Sequence, residues 1–144
     1  MKFAQFFVRL AVGSAFLSAV ADRFGYWGAP GQPGVAWGNW DNFAAYTHQL
    51  NFFLGEQLSN LLAVAATILE TLLGLLLILG YRTKLAAWGA GFLLICFALG
   101  MTLALGIKAP FDYSVWVGAG ACFLLASQNR YPFSLDNCFV QTGR

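Results

Sequence analysis

Four long apolar stretches constrain this chain more than any other feature. They run over residues 3–21, 58–79, 85–105 and 111–128, and the last is the least regular. A helix of about 20 apolar residues, rising about 1.5 Å per residue, crosses the hydrocarbon core of a bilayer. Only 10% of the residues are charged, against about 25% in soluble domains. The sequence therefore predicts an all-α polytopic membrane protein, with a single domain over residues 1–144 that forms a bundle of four transmembrane helices.

The first stretch also has features of a cleaved signal peptide. It starts with a basic residue, Lys2, continues with an apolar run and contains Ala19-Val20-Ala21, which has the form of an A-x-A cleavage site. Arg9, however, lies too far into the stretch for the basic start of a signal peptide. We expect a first spanning helix, and a cleaved signal peptide is the alternative.

Lysine and arginine are unequally distributed between the predicted loops. With the N-terminus inside, five of them lie on the inner side and two on the outer side, if Arg9 is left out because it falls within a span. Basic loops stay cytoplasmic. We therefore predict a protein of the prokaryotic inner membrane with both termini, and a tail over residues 129–144, in the cytoplasm. The inner set is Lys2, Arg82, Lys84, Arg130 and Arg144, and the outer set is Arg23 and Lys108.

The predicted outer loop, residues 24–57, is rich in aromatic residues and contains the sequence GAPGQPG. Trp and Tyr favour the interface between membrane and water. After Asp41, apolar residues recur at helical spacing, so we predict a short interfacial helix with Asp41 as its N-cap. Two roles are compatible with this loop: anchoring in the interface, and contact with a ligand or partner.

Two ionisable residues, Arg9 and Glu70, lie inside predicted spans. A charge at the centre of a bilayer costs about 2.5–3.5 kcal/mol on insertion scales. Consecutive spans run antiparallel, and the sequence places the two residues within ~6 Å of the same depth. We therefore predict that Arg9 and Glu70 form an ion pair in a polar interior. The pair is either a structural lock, or part of a pocket in which Glu70 relays a proton and Arg9 holds a carbonyl or an oxyanion.

The remaining polar residues indicate no further chemistry. Asp22 and Arg23 end the first span, and we expect them to anchor it at the outer interface. His48 is the single histidine and the three cysteines form no CxxC pair, so no metal site is predicted. We expect Cys96 and Cys122 to be buried as small apolar side chains. A net charge of +2 without a basic cluster argues against nucleic-acid binding.

The order of these features resembles the DoxX/DoxD family of small four-helix prokaryotic membrane proteins. The segment VRLAVGSAFLSAVADRFG is similar to the family's first span, ILETLLGLLLILGYRTKLAAWG to its most recognisable segment, and FSLD to a signature that closes many members. The matching positions are Arg9, Gly13, Phe16, Arg23, Glu70, Gly74, Gly80, Arg82 and Ala86.

The resemblance implies an integral membrane subunit linked to quinone or oxidative-stress redox chemistry. We expect an accessory, non-catalytic subunit, and an oxidoreductase that acts with quinone is the enzymatic alternative. It implies no covalent cofactor, and a bound quinone as the candidate ligand. The expected partners are the lipid bilayer, a membrane or soluble redox protein, and further copies of the chain.

Two alternatives stay open: a structural subunit that anchors a larger membrane complex, and a binder of a small lipophilic molecule. An elongated cavity beside Glu70 that is reachable from the lipid would favour ligand binding. A solid core with one broad apolar outer face would favour anchoring.

Overall fold

The computed structural model describes residues 2–142, with side chains as far as residue 138, and this part of the chain forms seven helices. Among them, three are long and apolar enough to cross a membrane. The predicted all-helical, multi-pass architecture is therefore confirmed. Arg144, which was counted for the orientation, lies outside the described residues. The helices are α1 (Lys2–Arg23), α2 (Trp40–Leu50), α3 (Glu56–Leu79), α4 (Thr83–Leu105), α5 (Ala109–Asp112), α6 (Val115–Ala126) and α7 (Leu135–Thr142).

The fourth apolar stretch is less regular than predicted. In place of one helix over residues 111–128, the chain forms the single turn α5 and the 12-residue helix α6. Pro110 lies in the first turn of α5, where its missing N–H costs no hydrogen bond. Ser114, between the two helices, has a φ of 54°. A left-handed residue interrupts a right-handed helix, so the stretch is divided at Ser114.

The three long helices and the shorter α6 pack as two pairs, α1 along α3 and α4 along α6. In the first pair the backbones meet at Gly13 and Gly74, where a Cβ atom on Gly13 would lie 2.8 Å from the carbonyl oxygen of Gly74. In the second pair, a Cβ atom on Gly91 would lie within 3 Å of three ring carbons of Phe123. Small residues at such positions allow the close packing on which helix association in lipid depends.

The core lies between the two pairs and is built mainly from small side chains of α4 and α6, packed around Phe16 of α1 and Leu77 of α3. Burying alanine and cysteine rather than large residues keeps the helix axes close together. The buried small residues are Ala86, Ala87, Ala90, Cys122 and Ala126.

The two ends of the bundle differ. The terminal end contains the start of α1, the turn between α3 and α4, and the segment after α6, and Gln5 there donates to Gln128 at 3.0 Å. The cap end contains the loop over residues 24–39, which together with α2 we call the cap, and also α5. The 12-residue helix α6 returns the chain to the terminal end.

The helix α2 begins after Asn39 and not after Asp41. The side-chain oxygen of Asn39 accepts a hydrogen bond from the backbone N–H of Asn42 at 2.8 Å. The predicted N-cap is therefore wrong, although the helix itself is present. Asp41 lies in the first turn, where a negative charge is favourable near the helix N-terminus.

Candidate functional site

Glu70 forms its ion pair with Arg23 and not with Arg9. Both residues are buried, with Arg23 2% exposed and Glu70 3% exposed, and Arg23 Nη2 contacts Glu70 Oε2. Arg23 Nη1 also donates to Thr67 Oγ1 at 2.7 Å, one turn from Glu70 on α3. The predicted Arg9–Glu70 pair is wrong, and Arg23 is not an interfacial anchor. We call the group formed by Asp22, Arg23, Thr67 and Glu70 the Arg23–Glu70 site.

The register of α1 against α3 explains why the predicted pair does not form. Gly13 lies opposite Gly74, Arg9 lies four residues from Gly13 toward the terminal end, and Glu70 lies four residues from Gly74 toward the cap end. The two charges are thus eight residues, or ~12 Å, apart along the helix axis. The sequence analysis underestimated the separation of Arg9 and Glu70 along the helix axis, because it assumed that the two apolar stretches end at the same depth in the membrane. Arg23 starts nearer the cap end, and its long side chain turns back into the bundle.

Arg9 binds backbone carbonyl groups at the terminal end. Its Nε donates to Leu77 O at 2.9 Å and its Nη2 to Ile78 O at 3.0 Å. Its Nη1 donates to Pro132 O at 3.1 Å and to Phe133 O at 3.0 Å. The last carbonyls of a helix have no partner within the helix. Arg9 therefore completes the end of α3 and ties it to the segment after α6, which is a structural role.

Gly80 and Asp136 complete this terminal end. Gly80 has a φ of 68°, and a Cβ atom there would lie 2.2 Å from Arg9 Nη2, so only glycine fits. The carboxylate of Asp136 accepts the backbone N–H groups of Arg82 and Thr83, both at 2.7 Å. The FSLD segment thus caps the start of α4, and Gly80 and Arg82 are turn positions.

Asp22 holds the cap over the end of α1. Its carboxylate accepts three backbone N–H groups of the loop, from Ala36 at 2.7 Å, Gly38 at 2.9 Å and Trp37 at 3.3 Å. Three N–H donors satisfy a buried carboxylate in the way that a cation would. The loop is therefore folded back onto the bundle by one side chain next to Arg23.

The guanidinium of Arg23 is covered by aromatic rings of the cap. Its Cζ atom lies 3.8 Å from the ring centroid of Phe43 and 5.4 Å from that of Trp37. The rings of Trp37 and Phe43 pack edge to face with centroids 5.1 Å apart. A desolvated cation over an aromatic face gains about 2 kcal/mol. Aromatic residues of the cap thus stabilise the buried charge.

Arg23 nevertheless has an unused donor. A guanidinium has five N–H groups, and Nε of Arg23 is buried without a hydrogen-bond partner among the described residues. A buried polar group without a partner costs about 1–3 kcal/mol. Glu70 compensates the charge of Arg23, but one of the N–H donors of Arg23, the one at Nε, has no acceptor among the described residues.

A cavity of about 1210 Å³ lies beneath the cap and reaches the Arg23–Glu70 site. Two of its lining residues, Leu69 on α3 and Cys96 on α4, also lie on the exposed surface of the bundle. Lining residues of the cap, such as Trp27 and Asn42, are exposed as well, so the cavity is open to the surroundings and not enclosed. Cys96 was expected to be buried and is exposed, whereas Cys122 is buried as predicted. Further lining residues are Asp22, Trp37, Phe43, Tyr46, Leu62, Ala66, Leu93, Met101 and Tyr113.

Tyr46 supplies a phenol to the cavity wall. Burial, and to a lesser extent the neighbouring Tyr113, raises the pKa of Tyr46 above its ordinary value. Its hydroxyl therefore keeps its proton at neutral pH. The cavity wall combines apolar side chains with a few polar groups, the composition typical of small-molecule sites.

Sequence reasoning missed the part that Arg23 plays in this site. The available signal was the Asp22-Arg23 pair directly before an aromatic loop, because a loop that folds back can bury a charge at the end of a span. The sequence alone does not show in which direction such a loop folds.

A family model described as methylamine utilisation protein MauE matches residues 1–112. The matched region contains α1 to α5 and every residue of the Arg23–Glu70 site. No curated protein and no solved structure matches the chain. The family found is MauE and not DoxX, so the DoxX assignment is wrong. The features behind it, an arginine early in the first span and a glutamate four residues before a glycine, are too degenerate to identify one family of helical membrane proteins.

Proposed function

This chain belongs to the MauE family, and from that premise we propose that it is an accessory membrane subunit that serves methylamine utilisation or a related redox system. Its cavity binds a small lipophilic molecule with a polar head group. The proposed role is non-catalytic: the cavity takes the ligand from the bilayer and holds its head group beneath the cap. Any redox partner would meet the protein at the cap.

One observation carries this proposal: an open cavity of about 1210 Å³ meets a buried ion pair. Ligand sites in proteins commonly measure about 300–1,000 Å³, so this cavity has room for a ring and part of a tail. A solid core would have favoured a purely structural role. A quinone is the redox-active candidate of suitable shape.

The charge distribution supports an orientation with the terminal end in the cytoplasm. Among the described residues, and with Arg9 again left out because it falls within a span, the terminal end carries four Lys and Arg residues and the cap end carries two, which follows the positive-inside rule. In this orientation the chain crosses the inner membrane four times and α2 lies in the outer interface. The cations counted at the terminal end are Lys2, Arg82, Lys84 and Arg130, and those at the cap end are Arg23 and Lys108.

The test is to isolate the full chain with its native lipids in polymer-bounded nanodiscs and identify what it retains by mass spectrometry. We expect one lipophilic molecule to be enriched over the surrounding bilayer. Ala66 lines the cavity, so Ala66→Phe should fill it and remove the enrichment. Ala11→Phe adds the same ring on the exposed surface of α1 and should leave the enrichment unchanged. If the wild-type protein retains nothing beyond bulk lipid, the proposed function is wrong.

A structural role in a larger complex is the second candidate. The rings of Phe52 and Phe53, in the turn after α2, are both exposed and contact each other with centroids 5.5 Å apart. Paired exposed aromatic residues suit either the membrane interface or a partner protein. The same nanodisc preparation distinguishes the two candidates, because an anchoring subunit would retain a protein partner or further copies of itself rather than a small molecule.

A further inference from the structure

The hydrogen-bonding state of the Arg23–Glu70 site restricts the head group that the cavity accepts. We propose that this site selects an uncharged head group bearing a carbonyl oxygen, and that Arg23 is the residue that binds it. This inference rests on the proposed function, because it specifies the chemical class of the cavity ligand. It also moves the binding role from Arg9, which is used at the terminal end, to Arg23.

The first argument is that the site has hydrogen-bond donors without a partner, whereas Glu70 Oε2 is held in the ion pair with Arg23 Nη2. Arg23 has partners in Thr67 and Glu70, while its Nε has none among the described residues. Tyr46 adds a protonated hydroxyl to the same cavity. A site with unused donors is completed by an acceptor. A carbonyl oxygen is an acceptor that carries no hydrogen of its own.

The second argument excludes an anionic acceptor. Two buried carboxylates, Asp22 and Glu70, and one buried guanidinium, Arg23, meet at this end of the cavity. Their formal charges sum to −1. A carboxylate or sulfonate head group would bring a further negative charge into a low-dielectric site that already has an excess of one.

The third argument excludes a cationic head group. The carboxylate of Asp22 is occupied by three backbone N–H groups and that of Glu70 by Arg23. The face of Phe43 that would attract a cation is covered by the guanidinium of Arg23, 3.8 Å away. An ammonium group would have to displace Arg23 from both contacts. A neutral carbonyl compound needs no displacement.

The experiment measures binding of a radiolabelled decyl-substituted benzoquinone to the full-length protein in nanodiscs. Nanodiscs holding Ala66→Phe give the partition into lipid. Three competitors have similar chain lengths: 2-dodecanone, decanoate and decyltrimethylammonium. We expect 2-dodecanone to displace the label, and the two charged amphiphiles to displace it at least tenfold less well at equal membrane concentration. Dodecane, which has no carbonyl, should be as weak as the charged compounds.

Variants of the site identify the donor. Arg23→Lys keeps the charge but loses the Nε donor, and we expect binding to weaken about tenfold or more, the loss of one charge-assisted hydrogen bond. Since this variant can also weaken folding, Arg23→Gln combined with Glu70→Gln removes both charges of the ion pair together. The carboxylate of Asp22 stays charged in this variant and keeps its three backbone N–H donors. The variant should therefore remain folded by circular dichroism and fail to bind. Arg130→Lys makes the same exchange at an exposed position and should bind as the wild type does.

The outcomes separate this inference from the proposed function. If the benzoquinone binds but decanoate or decyltrimethylammonium competes as well as 2-dodecanone, or Arg23→Lys binds normally, the cavity binds ligands and the assignment to Arg23 is wrong. If the wild-type protein binds no benzoquinone above the Ala66→Phe background while the native preparation retains another lipophile, the head-group class is wrong. If neither preparation shows a ligand, the proposed function fails as well.

Discussion

Two buried arginines of α1 are neutralised in two different ways. Arg23 forms an ion pair with Glu70, whereas Arg9 donates to four backbone carbonyls. Both solutions follow from the cost of an ion in hydrocarbon, which only a compensating charge or several aligned dipoles can offset. An arginine inside a spanning helix predicts that some group compensates its charge. It does not predict which partner supplies it.

A double-mutant cycle distinguishes the two arginines. We expect Arg23→Gln or Glu70→Gln alone to reduce the free energy of unfolding by about 3–5 kcal/mol, because each leaves one buried charge unpaired. The double variant should lose less than the sum of the two. In the matched cycle of Arg9→Gln with Glu70→Gln, the effects should add within about 0.5 kcal/mol, since the sites are separate. The measurement is denaturant unfolding in mixed micelles. Strong coupling between Arg9 and Glu70 would contradict the observed pairing.

The carboxylate of Asp22 is expected to control the closure of the cap. In Asp22→Asn the three backbone N–H groups of the loop lose a charged acceptor, and charge-assisted hydrogen bonds contribute about 1.5–3 kcal/mol each. We expect faster proteolysis within residues 24–39, measured by limited digestion. Asp41→Asn, an exposed change in the first turn of α2, is the control and should leave the digestion rate nearly unchanged. Equal rates for the two variants would mean that Asp22 does not hold the loop.

At the level of elements, a glycine contact determines which residues of α1 and α3 face each other. The backbones approach most closely at Gly13 and Gly74, and every other side-chain pairing between the two helices follows from that register. The sequence showed small residues one turn from each charge, and therefore predicted that these faces approach. It did not show that the glycines lie between the charges and keep them apart.

Gly13→Ala should destabilise this helix pair. An added Cβ atom would lie 2.7 Å from Ile78 Cγ1 and 2.8 Å from Gly74 O, and overpacking of this kind costs about 1–3 kcal/mol. Gly120 on α6 has no atom within 4 Å of the same added position. Gly120→Ala should therefore be neutral or slightly stabilising, by up to about 1 kcal/mol from helix propensity. Thermal unfolding of both variants in one detergent checks the difference, and equal losses would contradict the close contact.

For the whole molecule, the asymmetry of charge between the two ends is the feature that relates the fold to the membrane. The terminal end has a cationic surplus, whereas the cap end contains Asp22, Asp41, Glu56 and Asp112 against two cations, and Glu70 lies within α3. The cavity lies at the acidic cap end. The proposed orientation therefore places the ligand site on the outer side of the membrane.

Cysteine labelling tests this orientation. In a background with Cys96 and Cys138 changed to serine, Glu56→Cys lies at the cap end and Lys84→Cys at the terminal end, both at exposed positions. We expect a membrane-impermeant maleimide to label Glu56→Cys in intact spheroplasts, and to label Lys84→Cys only after permeabilisation. The reverse pattern would invert the proposed topology.

The sequence by itself determined that this is a helical, multi-pass membrane protein, and nearly where its three long helices begin and end. It could do so because the bilayer acts on each segment separately: a helix must satisfy its own backbone and present apolar side chains over about 30 Å. The aromatic composition of residues 24–57 and the location of Glu70 within a span were likewise evident from the sequence.

Only the tertiary structure decided which arginine forms the ion pair with Glu70, and only the tertiary structure showed that a cavity lies beside this pair. Both depend on the register of α1 against α3 and on the direction in which the cap folds. An arginine side chain reaches over more than one helical turn, so several pairings satisfy the same sequence pattern. The contact between two glycines and the carboxylate of Asp22 selects among them. These are contacts between distant parts of the chain, which periodicity and composition do not encode.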